Sequence, residues 1–284
     1  MKEQALELQE ETPLVTIKPP TGWAVLNLKD LWRYRELIYF LTWRDIKVRY
    51  KQTALGASWA ILKPFMMMVV FSIFFGGLAE VPSDGVPYPI FSYTGLLPWE
   101  LFAGALSIAS RSLVTNRHMI TKVYFPRIIL PISSILGGLV DFMIAFVILI
   151  IMMVVYGIAP TANIWTLPLF LILALITALG TSLWLSAMNV LYRDIGYILP
   201  FLTQFWLFIS PVAYSSSMVP ESFQLLYALN PMAGVVNGFR WALLGIEEVA
   251  PGPSLIMSSI VALVVLITGV MYFRRTERQF ADMV

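Results

Sequence analysis

About twenty apolar residues in a row, 59–79, follow directly on a basic, aromatic-bearing segment, RDIKVRYKQ. A run of that length, at 1.5 Å per residue, crosses the hydrocarbon core of a bilayer as a helix, the form that satisfies its own backbone where no water is present. The cations at its start fix the side on which that helix begins. On a preceding helix, Tyr39, Trp43, Ile46 and Tyr50 share one face while Arg44, Lys47 and Lys51 share a neighbouring one. Segregated rings and cations predict a helix lying in a membrane interface rather than a solvated linker.

The rest of the chain fits a membrane setting. It is 58% hydrophobic and 13% charged, with mean hydropathy +0.77, whereas an ordinary soluble domain carries about a quarter charged residues. A net charge of +2 says little, so the placement of charge matters more. There is no cysteine and one histidine, His118, which argues against disulfides and against thiolate or histidine metal centres. Residues 1–28 are expected to form a polar tail, acidic at Glu3, Glu7, Glu10 and Glu11, with no cleavable signal.

Six runs are candidate spans: 59–79, 91–113 with Pro98 breaking its start, 128–156, 165–192, 195–214 with Pro200 and Pro211, and 254–273. Lysine and arginine sort them. Arg33, Arg35, Arg44, Lys47, Arg49 and Lys51 precede the first; Arg117, Lys122 and Arg127 follow the second; Arg193 follows the fourth; Arg274, Arg275 and Arg278 follow the sixth. The intervening 80–90 and 157–164 carry none, and 215–253 carries only Arg240. Six crossings with both ends cytoplasmic satisfy the positive-inside rule. The segment 215–248 is interrupted by Pro220, Asn230-Pro231, Gly234, Gly238 and Gly245. Its two apolar pieces are too short to cross, so they form either paired re-entrant helices or a folded extramembrane loop.

Candidate sites follow. Residues 114–127 mix cations with Met119, Ile120, Val123, Tyr124 and Phe125, which suits either a docking surface for a partner or a helix on the lipid interface. Tyr197, Phe201, Phe205 and Phe208 make one stripe on the fifth run, and Phe71, Phe74 and Phe75 a smaller one on the first. Such stripes are packing or lipid-facing surface, or a pore wall along which sugar-ring faces slide. Asp141 sits mid-run, and with no basic residue mid-span beside it an interhelical hydrogen bond is expected in preference to proton coupling. Glu100 suits a helix N-terminus. No GxxxxGK[ST] loop occurs, so ATP hydrolysis, if used, belongs to another polypeptide.

Several blocks together resemble the membrane subunits of ABC-2-type polysaccharide exporters, which carry O-antigen, capsule or teichoic acid. They are WRDIKVRYKQTALGASWAILKPF (43–65), PYPIFSYTGLLPWELF (87–102), SLVTNRHMITKVYFPRIILP (112–131), NVLYRDIGYILPFLTQFWLFISPVAY (189–214) and YALNPMAGVVNGFRWALLG (227–245). The resemblance implies an all-α polytopic protein of six transmembrane helices, with an N-terminal amphipathic interface helix and linker at 29–58. A six-span domain at 59–273 would carry a re-entrant hairpin between spans five and six, and 274–284 would be a cytoplasmic tail. It implies a homodimer in the bacterial inner membrane with two ATPase subunits, which would hold ATP and Mg, no cofactor on this chain, and membrane lipids but no nucleic acid as surroundings. The cargo would be lipid-linked polysaccharide, the blocks looking most like the O-antigen branch. Phe71, Phe74, Phe75, Tyr197, Phe201, Phe205 and Phe208 would line the channel, and Arg44, Lys47, Arg49 and Lys51 the substrate entrance near a lipid-linked pyrophosphate. Asn116, Arg117, Met119, Ile120, Lys122, Tyr124 and Phe125 would dock the ATPase. The other classes weighed are a small-molecule permease, a proton-coupled transporter using Asp141, and a membrane transferase, whose catalytic groups Asp141, Glu100 and Asp194 lie at separate expected depths.

Overall fold

A single helix, buried on most of its circumference, organises the others around it. The computed structural model describes residues 28–51, 56, 58–277 and 279–280, with no strand among them. Residues 1–27 of the expected polar tail, the linker residues 52–55 and 57, and Arg278 and 281–284 of the expected C-terminal tail lie outside the described residues. Helices α1 (Leu28–Arg33) and α2 (Arg35–Lys51) precede α3 (Ser58–Phe71), which continues as a π-helical segment, Ser72–Leu78. Then come α4 (Tyr88–Ala109), α5 (Ser112–Thr115), α6 (Arg117–Lys122), α7 (Ile129–Val155) and α8 (Leu167–Leu191). The chain ends in α9 (Ile195–Ile209), α10 (Glu221–Tyr227), α11 (Pro231–Leu244) and α12 (Pro253–Glu277).

Four stretches among the described residues are long and apolar enough to cross a membrane: Ser58–Leu78, Ile129–Val155, Ala162–Leu191 and Pro253–Glu277. The central helix α4 has 22 residues but carries Glu100, Ser92 and Thr94. It runs unbroken through Pro98, against expectation, because α3, α7, α8 and α11 pack on it and fifteen of its residues are buried. Neighbouring helices hold a proline-containing membrane helix together in this way. The expected run 195–214 stops at Ile209: Ser210 is extended before Pro211, which restricts its predecessor to that region. At 15 residues, α9 is about 22 Å long, short of a core of about 30 Å.

Close backbone contact fixes α8 on α12. A Cβ on Gly180 would sit 2.6 Å from the Leu266 backbone nitrogen, so that crossing needs glycine, as small-residue contacts between membrane helices do. One turn on, Trp184 donates to Thr268 Oγ1 at 3.2 Å and stacks on Tyr272 with centroids 4.3 Å apart. The two helices therefore run in the same direction.

The bundle has two chemically distinct ends. At one, Arg127 donates its backbone N–H to Glu277 at 3.1 Å, Arg274 pairs with Glu277 at 3.0 Å, and Arg111 donates to the Gly196 carbonyl at 3.0 Å. A second apolar cluster, including Leu41, Leu113, Ile128, Val190 and Phe273, lies under these cations. At the other end Tyr88 donates to the Ala213 carbonyl, Thr161 to the Ala242 carbonyl at 2.7 Å and Ser217 to Asp84 at 3.0 Å.

Gly180→Val is expected to cost about 3 kcal/mol of stability by forcing the two backbones apart. Gly104→Ala, where an added Cβ meets nothing within 4 Å, should cost no stability and should raise it by up to about 1 kcal/mol, the advantage of alanine over glycine inside a helix. Thermal melts followed by size-exclusion in detergent check both.

Candidate functional site

The basic helix α2 does not stand apart from the bundle. Thr42 donates to the Ser133 carbonyl at 3.4 Å, and further along Arg49 and Tyr50 both reach Asp141, so α2 runs beside the first half of α7 in the same direction. Gly137 leaves the face bare: its nearest neighbours would be Ile46 and Arg49, each 4.0 Å from an added Cβ. Arg49 Nη1 and the Tyr50 hydroxyl donate to separate oxygens of Asp141. A carboxylate in an apolar bundle is costly unless its lone pairs and charge are met, and here both are. Burial first, and then the bond to Asp141, push the Tyr50 hydroxyl above its ordinary range, so it stays a donor.

Asp141 thus makes the interhelical hydrogen bonds expected of it, and one of the donors is a cation that no mid-span position supplies. The cation comes from the helix before the first span, 92 residues away in sequence. Beside it, Lys63 of α3 pairs with Glu100 of α4 at 2.6 Å. The two pairs, with Trp59, line a cavity of about 310 Å³ in which acidic and basic groups balance.

The remaining residues expected at an entrance are spread along α2. Arg44 pairs with Asp45 at 2.8 Å, Lys47 lies over the Trp43 ring at 5.3 Å, and Lys51 is exposed. The expected docking loop divides in two. Arg117, Lys122 and Tyr124 are exposed, and Asn116 and Met119 are half-buried. Ile120 and Phe125 are buried in the apolar cluster beneath, so they hold the loop to the bundle and present no docking surface.

The aromatic stripes divide likewise. Phe71 is buried in the core, with Phe75 half-buried edge-on to it at 5.4 Å, so in this chain Phe71 faces its neighbours and only Phe74 stands exposed. On α9 the stripe is uncovered: Tyr197 is 85% and Phe201 73% exposed, Phe205 and Phe208 about half, with the Phe201 and Phe205 rings stacked at 6.4 Å. The opposite face of α9 holds it to the bundle through buried Leu199 and Leu207, and through Trp206, which meets Phe102 at 5.0 Å. The stripe is therefore not needed for packing within the chain.

Arg240 is the residue that sequence reasoning undervalued. Counted there only as a stray cation, it is fully buried on α11. Its guanidinium donates to the carbonyls of Val212 at 2.8 Å, Tyr214 at 3.1 Å and Phe91 at 3.3 Å, and lies 3.5 Å from the Phe91 ring centroid. Gly95 makes room, since a Cβ there would lie 2.9 Å from Nη2. The signal was present: one arginine in an apolar segment without another cation needs a dedicated set of acceptors.

In comparison with known proteins the sequence is similar to transport proteins. The family described as ABC-2 type transporter matches residues 36–244. The O-antigen export system permease protein RfbA of Myxococcus xanthus is 28% identical over 258 residues, covering 90% of this chain and 98% of the relative. A protein of the same name from Klebsiella pneumoniae is 29% identical over 206 residues, 72% of this chain and 79% of its own. The polysialic acid transport protein KpsM of Escherichia coli is 24% identical over 239 residues, 82% and 91%.

Asp141→Asn is expected to lower stability by about 1–2 kcal/mol, less than for a fully buried pair because both side chains keep some exposure. A double-mutant cycle with Arg49→Met should return a favourable coupling energy, and additive effects would remove the Arg49–Asp141 pair from what holds α2 on α7.

Proposed function

Because the chain belongs to the ABC-2 type transporter family, we propose that it is the conduit-forming subunit of an ATP-driven exporter that moves lipid-linked polysaccharide, O-antigen first among candidates, across the bacterial inner membrane. The observation that carries this reading is the match to an O-antigen export permease along 90% of the chain. Two copies would form the conduit and two ATPase subunits would drive it. The sequence has no phosphate-binding loop of its own, so ATP and Mg would be held by those partners.

Several features support the arrangement. The uncovered stripe on α9 and the exposed Phe74 offer ring faces, which hold sugar rings weakly and without demanding one hydroxyl pattern. The six crossings would be the four long apolar helices, α4, and α9 together with the segment 210–214 that follows it, and the cationic end would then be cytoplasmic at both termini. Helices α10 and α11 would be the re-entrant pair, since α11 packs between α4, α8 and α12 and buries Arg240. The exposed Arg117, Lys122 and Tyr124 would meet the ATPase. Arg44, Lys47 and Lys51, with Arg49 behind them, would meet a pyrophosphate head. Asp141 is engaged in holding α2 on α7, which speaks against its serving as a proton carrier.

A strain lacking the chain should lose surface polysaccharide and regain it from the wild-type gene. Replacing Phe201, Phe205 and Phe208 together by Leu should keep folded yield and slow export about tenfold. Export at the wild-type rate would reduce the stripe to lipid-facing surface, and polysaccharide retained in the deletion strain would end the exporter reading. Charge reversal at Arg117 and Lys122 should cut ATPase co-purification about tenfold. Unchanged co-purification would move the docking surface elsewhere.

A further inference from the structure

At the end of the bundle opposite the cations, α10, α11 and the start of α12 enclose a cleft of about 110 Å³. That is several times the roughly 30 Å³ a water molecule takes in the liquid, and well below the 300 Å³ or more of a typical small-molecule pocket. The space suits one ring of a larger ligand.

Its lining is polar without being cationic. Ser216, Gln224, Asn237 and Ser254 contribute hydroxyl and amide groups, Glu248 contributes a carboxylate, and among the described residues no lysine, arginine or histidine lines it. The Tyr227 ring forms part of the wall, fixed by its hydroxyl donating to Tyr214 at 3.0 Å. Among the described residues Asn237 Oδ1 is buried with no hydrogen-bond partner, and a buried acceptor in that state costs about 1–3 kcal/mol until a donor reaches it. The other glycine and serine contacts nearby are explained by packing: Ser258 donates to the Ala228 carbonyl at 3.0 Å, and Gly234 lies against Ser258. Packing does not explain Asn237.

The chemistry selects the ligand. A phosphate or carboxylate would face Glu248 with no cation to offset it, and an apolar group would leave Asn237 unmet. A neutral hydroxyl-bearing ring fits, because each hydroxyl both donates and accepts and can answer amide, hydroxyl and carboxylate together. We propose that this cleft is a binding subsite for one uncharged sugar residue at the end of the bundle opposite the cations. The assignment rests on the exporter reading for the source of the sugar; the binding itself does not.

The test uses the full-length protein in nanodiscs and saturation-transfer NMR with maltotriose, against glucose 1-phosphate as the anionic comparator. Wild type should bind maltotriose in preference to glucose 1-phosphate. Asn237→Leu, similar in volume, should weaken maltotriose about fivefold, the loss of one hydrogen bond. Gln224→Ala, at an exposed position that cannot upset the fold, should weaken it in the same direction. No binding by wild type, equal binding by both variants, or stronger binding of the phosphorylated sugar would overturn the subsite. None of these would restore polysaccharide to the deletion strain, so the subsite and the exporter reading fail independently.

Discussion

A charge inside an apolar bundle has to be met by the protein itself, and that requirement shapes both halves of this molecule. Arg240 has no exposed surface, and three carbonyls and a phenylalanine ring are gathered around it. Two of those carbonyls, of Val212 and Tyr214, lie in the turn after α9; the third belongs to α4. One side chain thus ties α11, α4 and the end of α9 into a single cap. Where α2 meets α7, Asp141 plays the complementary part, drawing Arg49 and Tyr50 onto the bundle.

Between these charged fastenings the bundle is held by shape. Gly180 lets α8 and α12 touch backbone to backbone, and α4 fills the centre with Phe91, Tyr93, Leu96 and Phe102 fully buried. With so much settled internally, the surfaces left uncovered acquire meaning. The α9 stripe and the outer faces of α3 are long apolar areas that none of the described residues covers, of the kind that meets lipid, a second subunit or a passing ligand. The cationic end and the polar cleft at the other end then give the bundle two chemically different ends.

Much of the helix layout was legible because an unbroken apolar run has few alternatives. The runs 128–156, 165–192 and 254–273 contain or closely match α7, α8 and α12, and Asn230-Pro231 marked the division of α10 from α11. The fifth run was overextended because hydropathy alone does not register that Pro211 forces Ser210 out of the helix. Pairings across the fold were not legible. Nothing local tells that Arg49 meets a carboxylate 92 residues on, or that among the described residues Arg240 alone of the cations is fully buried. The same blindness merged two faces of one segment: composition and resemblance grouped Ile120 and Phe125 with Lys122 and Tyr124, and spacing grouped Phe71 with Phe74, whereas packing separates them.

The central claim is that the cations share one compartment and the Arg240-held cap faces the other. The chain has no cysteine, so single cysteines can be placed at the exposed positions Arg193, Arg275 and Glu248 and labelled with a membrane-impermeant maleimide in right-side-out and inside-out vesicles. The account predicts labelling at 193 and 275 only in inside-out vesicles and at 248 only in right-side-out ones. Labelling of 193 and 275 from opposite sides would contradict it.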